Sequence, residues 1–150
     1  MASESDNRPE LQSQKLIVLS EDADTRAFFG ERLGDGFEVD LVDSETDLMA
    51  GIAESGDIAL IVLDLDEARQ AFALQERISG VNASLPVAMM MSAGDEEDAV
   101  EALKRGFIDY IAKRKDSLQA DLVRKRIASS IELSRLRRQN QGLQDAIEAS

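Results

Sequence analysis

The chain has no cysteine, no histidine and no tryptophan, and its 150 residues include only two prolines and one tyrosine. Without Cys or His there is no thiol nucleophile, no imidazole base, no disulfide framework and no zinc site of the usual kinds. Any chemistry therefore rests on carboxylates, hydroxyls and amines. Positive charge is also in deficit: 17 basic side chains stand against 30 acidic ones, a formal charge of −13, which sets the chain as a whole against nucleic acid and anionic membranes. Long hydrophobic runs are missing too. The longest, Ile58 to Leu63, falls far short of the ~20 residues that span a bilayer. The opening MASESDNRPELQSQ holds no apolar stretch of the kind that marks secretion. The expectation is a cytoplasmic protein with no membrane contact.

What is present is enough for one domain with a real core, 43% of residues being hydrophobic. Residues 1–14 show no apolar periodicity and read as a disordered tail, with order beginning near Lys15. From there short apolar runs alternate with amphipathic segments. Leu16 to Leu19, Phe37 to Val42, Ile58 to Leu63, Val87 to Met91 and a weaker Tyr110 to Ala112 read as strands. Thr25 to Leu33, Ser44 to Ala53, Glu67 to Ile78 and Asp95 to Arg105 read as helices between them. The last of these has acids at its start and Lys104-Arg105 before Gly106 at its end, matching the helix macrodipole. Repeated strand-then-helix units require crossovers, hence a doubly wound parallel α/β sheet with helices on both faces. Runs such as IALIVL suit strands buried on both sides.

In open sheets of this type, ligands sit beyond the carboxyl ends of the strands. The residues there are Ser20, Glu21 and Asp22 after the first strand, Asp64 and Asp66 after the third, Ser92 after the fourth and Lys113 after the fifth. Crowded carboxylates repel unless a cation lies among them, and hard oxygen donors suit Mg²⁺. A carboxylate can also attack a phosphoryl group while an ammonium neutralises the transferred oxygens. Taken singly, the same residues have plainer readings: Asp64 as a helix cap, Glu21 and above all Asp22 as solvated loop acids, Ser92 as a turn residue, Lys113 as a solvated lysine. Met89 to Met91 is strand filling.

The segments LIVLSEDADTR, DIALIVLDLD and LPVAMMMSAGDEEDAVEALKRGFIDYIAK, between about Lys15 and Ile131, resemble the receiver domain of two-component response regulators. The resemblance implies a flavodoxin-like sheet of order 2-1-3-4-5. It implies phosphorylation of Asp64 by a sensor histidine kinase or phosphotransfer protein, with Mg²⁺ held by Glu21, Asp64 and the backbone carbonyl of Asp66. Ser92 and Lys113 correspond to the residues that bind the phosphoryl group, and Tyr110 to the aromatic switch residue. Three positions depart from the family. Ser20 replaces an acid and removes one charge from the metal site, Leu65-Asp66-Glu67-Ala68-Arg69 replaces the usual Met-Pro-Gly type turn, and Arg114 stands where Pro is common.

From Ser117 onward no Pro interrupts a run of helix formers. Leu118, Leu122, Val123, Ile127 and Ile131 have the spacing of a face packed on the sheet. Beyond them Leu133, Leu136, Asn140, Leu143 and Ile147 step by three and four, a heptad seam with Asn at an a position, which favours a parallel two-stranded coil. The plainer reading is a helix that folds back on its own domain. Residues 113–138 carry nine basic and three acidic side chains, +6 against −19 on the rest, so the acidic part of one copy can attract the basic helix of another; direct binding of nucleic acid fits less well. The division expected is tail 1–14, receiver 15–131 and coiled-coil extension 132–150. The function expected is a phosphoacceptor switch controlling dimerisation or a downstream output, not an enzyme acting on a separate substrate. The alternatives are a pseudo-receiver that serves as a phosphorylation-independent dimerising module, and a small phosphatase with an aspartate nucleophile.

Overall fold

Five consecutive buried residues, Leu60–Asp64, form the central strand β3 of the computed structural model, which describes residues 13–92, 95–113 and 120–149. Residues 1–12 of the expected tail, Arg114, Ser117 and Leu118 lie outside the described residues. In chain order the elements are β1 (Gln14–Ser20), α1 (Ala23–Ala27, continued by a π-helical turn, Phe28–Arg32), β2 (Phe37–Val42), α2 (Glu45–Glu54), β3, α3 (Ala68–Val81), β4 (Val87–Met91), α4 (Glu96–Lys104), β5 (Asp109–Ala112) and α5 (Ala120–Ala149). All pairings are parallel and the strand order is 2-1-3-4-5, as expected.

Alternate residues along each strand face opposite layers. Ile17, Leu19, Ile61, Leu63, Met89 and Tyr110 pack with Leu48 and Ile52 of α2, Leu74 and Ile78 of α3 and Ala102 of α4. Leu16, Val18, Leu60, Val62, Met90 and Ile111 pack on the other side with Phe28, Phe29 and Leu33, and with Val123 and Ile127 of α5. Each such aliphatic side chain contributes about 1.5–3 kcal/mol on burial. The register sets the functional edge: Ser20 lies opposite Asp64, and Met91 opposite Ala112.

Several boundaries differ from the sequence pattern for identifiable reasons. β1 starts at Gln14, whose N–H donates to the Gly36 carbonyl. The first helix begins at Ala23, not Thr25, because Asp22 caps it. Two adjacent phenylalanines, Phe28 and Phe29, are both buried in the π turn in edge-to-face contact. Ile58 is buried but precedes the strand. Ser44 and Asp95 cap α2 and α4 through the N–H groups of Asp47 and Asp98, so Asp95 belongs to the helix start as the charge pattern implied. Gly106, at φ +97°, ends α4; Phe107 N–H reaches the Ala102 carbonyl and Gly106 N–H that of Leu103, the double closure that requires a left-handed residue.

α5 spans 30 residues without a break, about 45 Å at 1.5 Å per residue. Its buried stripe is Val123, Ile127, Ser130 and Ser134, three residues past the expected boundary at Ile131. Leu122, expected in that stripe, is 53% exposed. Two guanidinium groups fix the roll of the helix: Arg126 pairs with Asp109 at 2.6 and 3.0 Å and donates to the Tyr110 carbonyl, while Arg124 donates to the Asp35 carbonyl. They flank the stripe on either side, and Leu122 is turned outward. Residues 135–149 are all exposed, so the second half of the helix does not fold back on the domain.

Candidate functional site

The carboxyl ends of β1 and β3 meet because Ser20 and Asp64 are register partners. Both are buried. The Ser20 hydroxyl donates to Asp64 Oδ2 at 2.7 Å and accepts the Asp22 N–H at 3.1 Å. The other oxygen of Asp64, Oδ1, takes Lys113 Nζ at 2.8 Å, with side-chain exposures of only 10% for the lysine and 4% for the aspartate. Lys113 arrives from the end of β5, where its own N–H donates to the Met91 carbonyl. The strand ends thus bring Asp64 and Lys113 together, as the sequence reading required.

Two further residues complete the cluster, Asp22 of the strand-end set and Thr25, which was not anticipated. Asp22, expected to be a solvated loop acid, is exposed, with 46% of its side chain accessible, and is also the cap of α1: its Oδ2 accepts from the Thr25 N–H and hydroxyl, at 3.4 and 2.8 Å, and from Lys113 Nζ at 3.1 Å. Thr25, fully buried, accepts from Lys113 at 3.1 Å. The legible signal was local: an Asp three residues ahead of a Thr, immediately after a strand, is a helix-start pattern. Arg26 then ties β1 to β2 by donating to the carbonyls of Ser20 and Val42.

The electrostatics follow from these contacts. The Thr25 hydroxyl, against the opposing effect of partial burial and with the help of Lys113, holds the Asp22 carboxyl below its ordinary range. Burial disfavours the charge on Lys113, but its bonds and attraction to Asp64 and then Asp22 outweigh this and raise it. Lys113 is therefore a fixed ammonium.

The remaining expected residues are placed differently. Ser92 is exposed just beyond β4 and makes no hydrogen bond among the described residues. Tyr110 is buried in β5 with its hydroxyl unpartnered among the described residues; burial, then Asp98 and Asp95, push that hydroxyl up in pKa. Glu21 and Asp66 are exposed. No group of three or more acidic side chains gathers as a cation site among the described residues. With Ser20 and Lys113 on both oxygens of Asp64 and Glu21 turned to solvent, the side chains as folded do not fit the Mg²⁺ expected at Glu21, Asp64 and the Asp66 carbonyl.

No protein-family model matches the sequence, and no curated protein matches it. Solved structures do. NtrX from Brucella abortus is 27% identical with a TM-score of 0.74; the match covers 88% of this chain but 29% of that one, so this chain spans less than a third of NtrX. A response regulator from Thermotoga maritima is 22% identical, TM-score 0.70, covering 80% of this chain and 98% of that one. A response regulator receiver domain from Clostridium thermocellum is 21% identical, TM-score 0.65, covering 82% and 98%. No helix among the described residues is long and apolar enough to cross a membrane. With its sheet order, its strand-end aspartate and lysine and these neighbours, the chain has the receiver fold of response regulators, extended by one long C-terminal helix.

Proposed function

We propose that this chain is a signalling receiver in which Asp64 accepts a phosphoryl group from a sensor histidine kinase or phosphotransfer protein. The observation that carries the reading is the buried Asp64–Lys113 pair at the carboxyl end of the central strand. An Asp64 oxygen would attack phosphorus, and the ammonium of Lys113 would neutralise charge on the transferred oxygens. Ser92, at the end of the neighbouring strand, is the candidate to bind one of those oxygens, and Tyr110, on the strand that also leads to Lys113, the candidate to respond. The resemblance implies Mg²⁺ at Glu21, Asp64 and the Asp66 carbonyl, but Glu21 and Asp66 are exposed and both oxygens of Asp64 are already bonded to Ser20 and Lys113.

The output runs through α5. Arg126 joins that helix to Asp109 and Tyr110 of β5, so movement of β5 bears directly on the helix. Leu133, Leu136, Asn140, Leu143 and Ile147 lie on the side turned away from the buried stripe, at exposures of 39% to 72% for the four apolar ones, which supports a parallel homodimer through this seam. A partner helix, not nucleic acid or membrane, is the proposed neighbour.

Incubation of the full chain with an acyl phosphate should add one phosphoryl group by intact mass in wild type and none in Asp64→Asn. A second reading, a pseudo-receiver that dimerises without phosphate, is favoured by the Ser20 hydroxyl seated on Asp64. Absence of modification in wild type, with the dimer intact, selects that reading.

A further inference from the structure

We infer that Asp22 and Thr25 are the positioning residues of Lys113, and that the ammonium so fixed serves Asp64 where a divalent cation would otherwise be needed. The inference on positioning stands on the contacts alone; its chemical consequence rests on Asp64 being the phosphoacceptor.

Lys113 Nζ carries three N–H donors and no acceptor. It has three acceptors: Asp64 Oδ1 at 2.8 Å, Asp22 Oδ2 at 3.1 Å and Thr25 Oγ1 at 3.1 Å. Every proton is used, so the group is held as a tripod. The Thr25 hydroxyl can take this bond because its own proton goes to Asp22 at 2.8 Å, which fixes the direction of donation around the ring. Asp22 in turn is fixed from below as the cap of α1. Ser20, which has no charge to offer the lysine, instead bonds the second oxygen of Asp64 and the Asp22 N–H.

Asp64 and Asp22 are the two carboxylates in direct contact with Lys113, and one ammonium between them leaves a single net negative charge. An acid at position 20 would add a third carboxylate beside Asp64, the crowding that calls for a divalent ion. With serine there, that need is reduced. The transfer step then requires only the groups present: an Asp64 oxygen bonds to the phosphorus of an acyl phosphate, the bond from phosphorus to the acyl oxygen breaks, and a carboxylate ion leaves with its electron pair. No proton has to be moved.

Two arms test this on the full chain. In proton–nitrogen spectra, the Lys113 ammonium, assigned by its loss in Lys113→Arg, should show slowed exchange with water. Asp22→Ser, which keeps a cap on α1 but removes the carboxylate, should abolish that signal without lowering thermal stability as an uncapped variant would. Thr25→Val should weaken it and Thr25→Ser restore it. A signal unchanged in Asp22→Ser overturns the positioning role. In the second arm, acyl-phosphate labelling of Asp64 is followed by mass in Mg²⁺ and in a chelator. Wild type should be modified at similar rates in both, Asp22→Ser should slow on the order of tenfold in the chelator, the scale of one charge-assisted hydrogen bond, and Ser20→Asp should become dependent on Mg²⁺. Modification of wild type only with Mg²⁺ overturns the substitution of ammonium for cation. No modification in either buffer refutes the phosphoacceptor reading, while the spectra still decide the positioning.

Discussion

The two halves of α5 are one unbroken helix and yet obey different rules. In the first half the residues that matter are those turned inward, and two of the four are serines: Val123, Ile127, Ser130 and Ser134 are buried, with Arg124 and Arg126 clamping the helix to Asp35 and Asp109. In the second half every residue is exposed, and the leucines stand on the outer side. Apolar residues alone thus do not show which face of a helix is covered. The first half is ordered by its own domain, whereas an isolated stretch of about 15 residues is marginal in water. Gly142, with open space around it, lowers the second half by roughly 1 kcal/mol more.

The largest effect should come from emptying the packed half. Ile127 is fully buried against the sheet, and Ile127→Ala should cost about 2–5 kcal/mol of unfolding free energy, read by chemical denaturation. A loss below 1 kcal/mol would mean that the first half of α5 is no more anchored than the second. Arg126→Gln should cost less, about 1 kcal/mol, since the guanidinium side chain is 40% exposed and screened by solvent even though its pairing is bidentate. It should also disconnect α5 from β5, so that any change in dimer affinity on modification of Asp64 disappears.

The outer half should respond in association, with little change in the domain. Truncation after Ser134, the last buried residue of the helix, should give a monomeric mass by light scattering. Leu136→Ala with Leu143→Ala should weaken dimerisation at a nearly constant denaturation midpoint measured at low protein concentration. A truncated chain that stays dimeric would place the interface on the receiver domain and leave the helix as a tether.

The fold was legible because its signals are periodic. Buried parallel strands read as continuous apolar runs, and helix starts at Ser44 and Asp95 and the stop at Gly106 are local chemistry. The convergence of Asp64 and Lys113 on one edge was legible from strand-end placement, and their pairing from the resemblance to receiver domains. What was not legible depended on the meeting of distant segments. Asp22 looked like any loop acid until β5 brought Lys113 to it across 91 residues of sequence. Leu122 looked like core until Arg126 set the roll of the helix from Asp109. The pattern at Ser20 indicated a missing charge, but that its hydroxyl would bond Asp64 follows only from the β1–β3 register.

The smallest effect belongs to Tyr110, and it reports on the packed region only. The chain has one tyrosine and no tryptophan, so tyrosinate absorbance is a signal from β5 alone. Burial, followed by Asp98 and Asp95, raises its ionisation above the ordinary value of 10.0, because the charged form would sit in the interior beside acids. The sign follows from linkage: the folded chain holds this proton more tightly than the unfolded chain, so its contribution is constant below pH 10 and is lost as pH rises through 10 toward the raised value. The tyrosinate midpoint should lie above 10 in the folded protein and return to the ordinary value in denaturant. Because the hydroxyl has no partner among the described residues, Tyr110→Phe should change stability at neutral pH by less than about 1 kcal/mol, while flattening part of the alkaline decline. A midpoint at or below 10 in the folded chain would mean that the hydroxyl reaches water, and that β5 is as open to solvent as the outer half of α5.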